Sequence, residues 1–179
     1  MKKNILLCGD VGVGKSTLIR RLLEETQLTV GGFCTKMDKD SEEEMHPIYI
    51  YPAAVPVELR QRNRGNLVGR CGDFGRKKEI FAEVFDAVGT AYLQDTQGCQ
   101  VMVMDEMGFM ESEAHQFRNA VLRALDGDLP VLAAVKNRRD VDFLRQVLTH
   151  PKGAVYRITP ENREELFREL LPIVREWKR

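Results

Sequence analysis

The sequence lacks any hydrophobic run of transmembrane length, and it carries no net charge. Its 27 lysine and arginine residues equal its 27 aspartate and glutamate residues, so overall charge gives no argument for nucleic-acid or membrane binding. The apolar residues 5–8 are too few for the core of a signal peptide, and the charged Asp10 comes directly after Gly9. We therefore expect a cytoplasmic protein with no nucleic-acid or membrane partner.

Cysteine is scarce and scattered along the chain. None of the four cysteines belongs to a C-x-x-C pair, and no histidine lies at metal-ligand spacing from them. This spacing argues against a zinc site or a disulfide framework and favours free thiols in a reducing cytoplasm. With 179 residues and 43% hydrophobic composition, the chain has material for one sizeable core. We expect one domain spanning residues 1–179, in a monomeric protein.

The most informative segment is residues 9–17, with the sequence GDVGVGKST. It matches G-x-x-x-x-G-K-[ST], the P-loop, in which successive backbone N–H groups curl around phosphates because glycines leave the amides unobstructed. Lys15 would supply charge to the β- and γ-phosphates, the Ser16 hydroxyl would bind Mg²⁺, and a helix beginning here would direct its positive dipole end at the anion. The predicted nucleotide-binding residues are Gly9, Asp10, Val11, Gly12, Val13, Gly14, Lys15, Ser16 and Thr17.

The segments around this loop predict an α/β fold. Residues 4–8 are apolar, as in a strand buried on both faces, and the apolar residues after the loop recur at helical spacing. Strands and helices then alternate, which predicts a three-layer P-loop domain with a mostly parallel sheet. The predicted strands are 101–105, 130–135 and 154–158, and the predicted helices are 77–98, 118–125, 141–148 and 160–177, the last capped by Thr159.

Two further segments lie between the first helix and residue 77. Strand-like residues 30–37 and 47–52 flank the acidic residues 38–44, which predicts a β-hairpin near residues 31–52 with a solvated turn. Residues 52–76 have no clear periodicity and are rich in arginine and glycine. That composition suits a mobile segment near the nucleotide, and a solvated surface loop is the alternative interpretation.

Residues 101–106, with the sequence VMVMDE, form an apolar strand that ends in two acids, as in a Walker B motif. Asp105 would bind Mg²⁺ directly or through water. Glu106 is the predicted catalytic base, because a carboxylate beside the metal can polarise the water that attacks the γ-phosphate; a salt-bridged surface acid is the alternative. For Glu111 we consider two roles equally, support of the site and a surface position.

Residues 135–140, with the sequence VKNRRD, would bring cations to the same edge of the sheet. A guanidinium there can stabilise the charge that develops on the γ-oxygens in the transition state, so Arg138 is a predicted catalytic residue beside Lys15 and Glu106. Arg139 is an alternative to Arg138, and Asn137 is a second candidate for contact with the γ-phosphate or the attacking water. A solvated loop cluster is the remaining interpretation.

Together these segments resemble the THEP1 family of nucleoside-triphosphatases, almost from end to end. The resemblance rests on residues 9–17 (GDVGVGKST), 31–35 (GGFCT), 68–72 (VGRCG), 105–111 (DEMGFME), 135–140 (VKNRRD) and 158–163 (ITPENR). It implies a Mg²⁺-dependent enzyme that hydrolyses ATP, GTP and other nucleoside triphosphates with little base selectivity. It also implies phosphate binding by residues 12–17, a metal role for Asp105 and a water role for Glu106. Cys71 replaces the usual tyrosine, and residues 38–66 follow no family pattern.

Other functions also use a P-loop. A small-molecule or nucleotide kinase would close residues 60–76 as an arginine-rich lid, and Glu106 would deprotonate an acceptor hydroxyl instead of water. A regulatory GTPase requires an N-K-x-D motif, and residues 136–140 (KNRRD) have the wrong order and spacing. A motor or chaperone-like ATPase would need an appended domain, which the chain does not show. Hydrolysis is the expected function, with a kinase as the main alternative.

Overall fold

The computed structural model describes residues 3–178, apart from the side chain of Phe74. Within those residues eight strands form one sheet in the order β5-β4-β3-β2-β6-β7-β1-β8. The strands are β1 (Asn4–Gly9), β2 (Val30–Met37), β3 (His46–Pro52), β4 (Leu67–Gly72), β5 (Lys77–Ile80), β6 (Val101–Met107), β7 (Val131–Lys136) and β8 (Gly153–Arg157).

The sheet has a parallel part and an antiparallel part. Strand β1 pairs in parallel with β7 and β8, and β6 pairs in parallel with β7 and β2. The antiparallel part runs from β2 through β3 and β4 to β5. Strand β7 therefore separates β1, which leads into the P-loop, from β6, which carries the paired acids. The predicted α/β class, mostly parallel sheet and β2–β3 hairpin are confirmed.

Helices cover both faces of the sheet. They are α1 (Lys15–Thr26), α2 (Ala82–Val84), α3 (Thr90–Gln94), α4 (His115–Asp126), α5 (Asp142–Leu148) and α6 (Arg163–Arg175), and a π-helical turn at Phe85–Gly89 joins α2 to α3. Apolar residues of α1 and α6 pack on one face, and those of α2 to α5 pack on the other. This arrangement is the predicted three-layer domain. Among residues 3–178, every helix is too short or too polar to span a bilayer.

Strand β1 shows how the sequence produces the three layers. Successive side chains of a strand point to opposite faces, so Ile5 and Leu7 pack toward α1 and α6. Leu6 and Cys8 join the cluster on the opposite face. Because both faces are buried, the strand must be apolar throughout its centre, which explains the continuous hydrophobic run before the P-loop.

Two expectations for residues 52–98 were wrong. Residues 52–76 were expected to be an irregular segment, but they contain strand β4. Residues 77–98 were expected to form a helix, but strand β5 occupies the start of this range, so α2 begins only at Ala82. Gly69 explains the missing signal in β4, because a Cβ there would lie 2.3 Å from the backbone oxygen of Glu79 in β5. Strand β5 is a polar edge strand whose first three residues are exposed, so it carries no apolar alternation.

The predicted cap of the last helix was also wrong. Helix α6 begins at Arg163 with Asn162 at the N-cap position, three residues after Thr159. The side chain of Asn162 accepts a hydrogen bond from the Thr159 N–H at 2.8 Å and donates one to the Arg157 oxygen at 2.8 Å. These bonds stabilise a turn between β8 and α6, and the turn delays the start of the helix.

Candidate active site

The P-loop connects β1 to α1 at the carboxyl edge of the sheet. Gly12 and Gly14 have φ values of 80° and 103°, in the left-handed region that favours glycine, and α1 begins directly afterwards at Lys15. The predicted nucleotide-binding residues 9–17 thus form one segment that runs from the end of β1 into the first turn of this helix. A groove of about 190 Å³ follows the loop and is lined by Gly12, Gly14, Lys15, Ser16, Thr17 and Glu106.

Lys15 is folded onto its own loop and is 4% exposed. Its ammonium donates to the backbone oxygens of Gly9 at 2.8 Å and Asp10 at 2.7 Å. The same Nζ lies 3.2 Å from Oε2 of Glu106. An ammonium has three donors, and these three oxygens can accept all of them. The predicted phosphate-binding lysine and the predicted base are therefore in direct contact.

Ser16 and Asp105 form the second contact between the P-loop and β6. The Ser16 hydroxyl donates to Oδ1 of Asp105 at 2.7 Å. Burial raises the pKa of Asp105, while the hydrogen bond from Ser16 acts in the opposite direction. A partly desolvated carboxylate beside a hydroxyl fits Mg²⁺, which binds oxygen ligands and commonly keeps water and phosphate oxygens in its coordination shell. Among residues 3–178, no group of three or more His, Cys, Asp or Glu side chains could hold a metal alone.

A bulge in β6 places the two acids at the same loop. Strand β6 pairs with β7 in register as far as Asp105, and the pairing resumes at Met107, so Glu106 is an extra residue on its strand. Asp105 contacts Ser16, and Glu106 contacts Lys15, although neighbouring side chains of a regular strand diverge. Glu106 is salt-bridged, as the alternative interpretation proposed, but its partner is the P-loop lysine.

Lys136 is a site residue that sequence reasoning did not single out. Its Nζ lies 3.6 Å from Oε1 of Glu106, so each carboxylate oxygen of Glu106 faces a different ammonium. The side chain of Lys136 passes over Gly108, where a Cβ would lie 3.2 Å from its Cδ. Lys136 ends β7, directly across from Gly9 of β1, and that position at the carboxyl end of a strand is the signal that could have identified it.

Glu111 lies inside the protein beside this site. It is 3% exposed, and its Oε2 accepts the Gly108 N–H at 3.0 Å. Burial raises the pKa of Glu111 to about 7, against the lowering effects of backbone hydrogen bonds and of Lys136. The surface interpretation of Glu111 was therefore wrong. The carboxylate instead fixes the backbone on which Lys136 packs.

The predicted catalytic Arg138 is engaged elsewhere. Its guanidinium forms a two-pronged pair with Asp140, with Nη2 to Oδ2 at 2.7 Å and Nε to Oδ1 at 2.9 Å. This pair raises the pKa of Arg138 and lowers that of Asp140. Asn137 accepts a weak hydrogen bond from the Cys8 thiol at 3.8 Å. The structure thus brings Lys136 to Glu106, and the role of Arg138 stays a prediction.

The arginine-rich segment contributes one arginine to the surroundings of the P-loop. Arg60 borders a cavity of about 420 Å³ that is also lined by Ser16, Thr17 and Asp105. Arg62 instead pairs with Asp38 at 2.6 Å. Arg70 pairs with Glu43 and Glu79 at 3.4 and 2.9 Å, on the antiparallel part of the sheet.

Comparison with known proteins identifies the family of this chain. A family model with the description NTPase matches residues 4–171. The chain belongs to this family. Over 191 residues it is 32% identical to the nucleoside-triphosphatase THEP1 of Thermofilum pendens, in an alignment that covers 96% of this chain and 97% of the relative. Identity to the nucleoside-triphosphatase THEP1 of Methanocaldococcus jannaschii is 30% over 175 residues, covering 93% and 94% of the two chains.

A solved structure shares the fold of this NTPase-family chain. The crystal structure of THEP1 from the hyperthermophile Aquifex aeolicus matches with a TM-score of 0.70 and covers 96% of this chain and 98% of that one. The two sequences are 20% identical, so this likeness shows the fold alone. The resemblance to THEP1 inferred from the motifs is confirmed by the family match and by the relatives.

Proposed function

We propose that the chain is a Mg²⁺-dependent nucleoside-triphosphatase that hydrolyses ATP, GTP and other nucleoside triphosphates at the P-loop. Family membership and relatives named nucleoside-triphosphatases over nearly the whole chain support this activity. The observation that carries the proposal is the position of Glu106, whose carboxylate lies between Lys15 and Lys136 and beside Asp105. Hydrolysis needs a base at the γ-phosphate, and nucleotide binding alone does not.

Binding of the triphosphate would rearrange the contacts of Lys15. The γ-phosphate and the Glu106 carboxylate are both anions that compete for the same ammonium, because two donors of Lys15 are held by Gly9 and Asp10. A phosphate oxygen therefore takes the position of Glu106 Oε2 at Lys15. Glu106 is released to accept a hydrogen bond from a water molecule. Nucleotide binding would in this way prepare the base.

The chemical step is transfer of the γ-phosphoryl group to water. The water oxygen bonds to the γ-phosphorus, its proton passes to Glu106, and the bond from the γ-phosphorus to the bridging oxygen of the β-phosphate breaks. The products are a nucleoside diphosphate and phosphate. Ser16 and Asp105 would hold Mg²⁺, which supplies charge neutralisation at the β- and γ-phosphate oxygens.

Lys136 and Arg138 are candidates for stabilising the transition-state charge, with Arg139 as the alternative to Arg138. Lys136 already lies beside the proposed base, with its Nζ 3.6 Å from Oε1 of Glu106. Arg138 would have to leave Asp140 first. If Arg138 acts, Arg138→Ala lowers kcat, and Asp140→Ala, which frees the guanidinium, does not. Equal and unchanged kcat in both variants would remove Arg138 from the proposed mechanism.

A kinase is the second candidate function, and one observation favours it. A cavity of about 380 Å³ adjoins Glu106 and is lined in part by Thr35, Lys36 and Phe85, so it has room for an acceptor. The two functions differ in what happens without an acceptor. Purified protein with Mg²⁺ and ATP should release phosphate continuously if it is a hydrolase and should be nearly silent if it is a kinase.

The deciding experiment is phosphate release from ATP, GTP, CTP and UTP, each with and without Mg²⁺. We expect all four to be hydrolysed only with Mg²⁺, and Lys15→Ala should abolish or greatly weaken the use of each triphosphate. Absence of phosphate release from every triphosphate would overturn the proposal. The single-domain, monomeric state and the cytoplasmic location stay predictions.

A further inference from the structure

Arg163 lies against the P-loop from the opposite side to the acids. Its Cδ and Nη1 are 2.8 and 3.2 Å from the position that a Cβ on Gly14 would occupy. The backbone oxygen of Ile158 is equally close to Gly9, 2.6 Å from the position of a Cβ there. The segment from Ile158 to Arg163, which joins β8 to α6, therefore packs against the P-loop at both Gly9 and Gly14.

The guanidinium of Arg163 is open to a ligand. Its Nε donates to the Pro160 oxygen at 3.2 Å, and within residues 3–178 its two Nη groups have no hydrogen-bond acceptor. Arg21, on the adjacent surface of α1, is by contrast bound to both carboxylate oxygens of Glu164 and lies 4.2 Å from the Phe167 ring. Among residues 3–178, Arg163 is thus a cation beside the P-loop that forms no ion pair, although the carboxylates of Glu161 and Glu164 interact with it electrostatically.

Strand order determines which end of a nucleotide reaches Arg163. The γ-phosphate must lie beside Asp105 and Glu106, which end β6 on one side of β1. Strand β8 lies on the other side of β1, and Arg163 follows it. A triphosphate that follows the P-loop therefore directs its γ end toward β6 and its nucleoside end toward the β8 side.

We propose that Arg163 is a nucleoside-binding residue whose guanidinium stacks on the face of the base. A guanidinium stacks favourably on aromatic faces, and every base has such a face. Stacking of this kind gives affinity without reading the hydrogen-bonding edges of the base, which suits an enzyme that accepts several bases. This inference rests on the proposed binding of the triphosphate by the P-loop.

Tripolyphosphate is the probe that separates contact with the base from contact with the phosphates. It contains the three phosphates and no nucleoside. Dissociation constants should be measured by isothermal titration calorimetry with Mg²⁺ and tripolyphosphate or the β,γ-imido analogues of ATP and UTP. The variants are Arg163→Ala and Arg163→Lys, with Arg168→Ala, an exposed arginine on the same helix, as the matched control.

Arg163→Ala should weaken binding of the ATP analogue by about tenfold and that of the UTP analogue by less, because a purine offers more stacking area. Binding of tripolyphosphate should change by less than about twofold, since it has no base to stack. Arg163→Lys should behave like Arg163→Ala, because an ammonium lacks the planar face. Arg168→Ala should leave all three affinities unchanged.

Three results would overturn the inference. Equal loss of tripolyphosphate and nucleotide affinity in Arg163→Ala would assign the residue to a phosphate, and no loss of either would remove it from the site. Full affinity in Arg163→Lys would show that charge, not stacking, matters. Wild-type protein that binds the ATP analogue but releases no phosphate from ATP would refute hydrolysis and leave this inference standing.

Discussion

The Nζ atom of Lys15 lies 3.2 Å from Oε2 of Glu106, so the P-loop lysine and the proposed base form an ion pair between β6 and α1. One consequence is that the base and the γ-phosphate compete for a single cation. In the proposed mechanism, nucleotide binding would therefore displace Glu106 from Lys15 before Glu106 activates water. Charge removal at position 106 should then have opposite effects on binding and on turnover.

Glu106→Gln is the direct check of that relationship. The amide cannot accept the proton from water, so kcat should fall by about 100-fold or more. Nucleotide binding should be kept or become tighter, because a neutral side chain competes less well for Lys15. Phosphate release and calorimetric binding should be measured together, with the exposed Glu113→Gln as the matched control. Turnover that survives in Glu106→Gln would show that another group is the base.

Asp105→Asn tests the metal site. The variant keeps a side-chain oxygen near Ser16 but removes the charge that would bind Mg²⁺, so the Mg²⁺ concentration for half-maximal turnover should rise by at least about tenfold. Mg²⁺ together with a non-hydrolysable nucleotide should raise the Tm of the wild type more than that of the variant. An identical Mg²⁺ dependence in the two proteins would exclude Asp105 as a metal ligand.

Lys136→Met tests the second cation at Glu106. Methionine keeps an unbranched chain over Gly108 but lacks the ammonium, so kcat should fall by about 100-fold if Lys136 stabilises charge in the transition state. Dissociation constants for nucleotides should change far less than kcat. Lys77→Met removes an exposed lysine that is paired with Glu44 and provides the matched control. An unchanged kcat in Lys136→Met would limit Lys136 to neutralising Glu106.

Glu111 predicts a pH-dependent stability. Burial raises its pKa from 4.5 to about 7, so the folded protein binds this proton more tightly than the unfolded chain does. Ionisation between those values favours the unfolded state, and stability should fall as pH rises from about 4.5 to about 7. The loss at pH 8 is on the order of 3 kcal/mol.

Glu111→Gln should remove that loss, because its amide oxygen can still accept the Gly108 N–H without carrying a charge. Its free energy of unfolding should increase relative to that of the wild type as the pH rises from 5 to 8, so that the variant becomes the more stable protein. Urea unfolding at four pH values measures the difference, with Glu113→Gln as the exposed control. A constant difference across this range would show that Glu111 does not titrate as the buried carboxyl described.

Gly32→Ala tests the packing of β2 against β6. Gly32 has a φ of 93°, and a Cβ there would lie 2.0 Å from the backbone oxygen of Val103. The variant should lose about 3 kcal/mol or more of stability in urea unfolding. Gly98→Ala is the control, because Gly98 also has a positive φ of 71° but open space around the added carbon. Similar losses in both variants would contradict a packing constraint at Gly32.

Local sequence was sufficient for β1, the P-loop and the paired acids, because each depends on neighbouring residues alone. The bulge at Glu106 depends on the register of β6 with β7, and no local pattern encodes it. The same holds for Lys136, whose contact with Glu106 depends on pairing between distant strands. Strand β5 was missed because an edge strand needs no apolar residues.

The two edges of the sheet are protected unequally. Strand β5 ends the antiparallel side with the exposed, charged residues Lys77, Lys78 and Glu79, and such residues oppose pairing with a strand of another molecule. Strand β8 ends the parallel side, and there Val155 is 41% exposed. Aggregation through strand addition should therefore begin at β8 and not at β5, and a lysine at position 155 would be the first change to improve solubility.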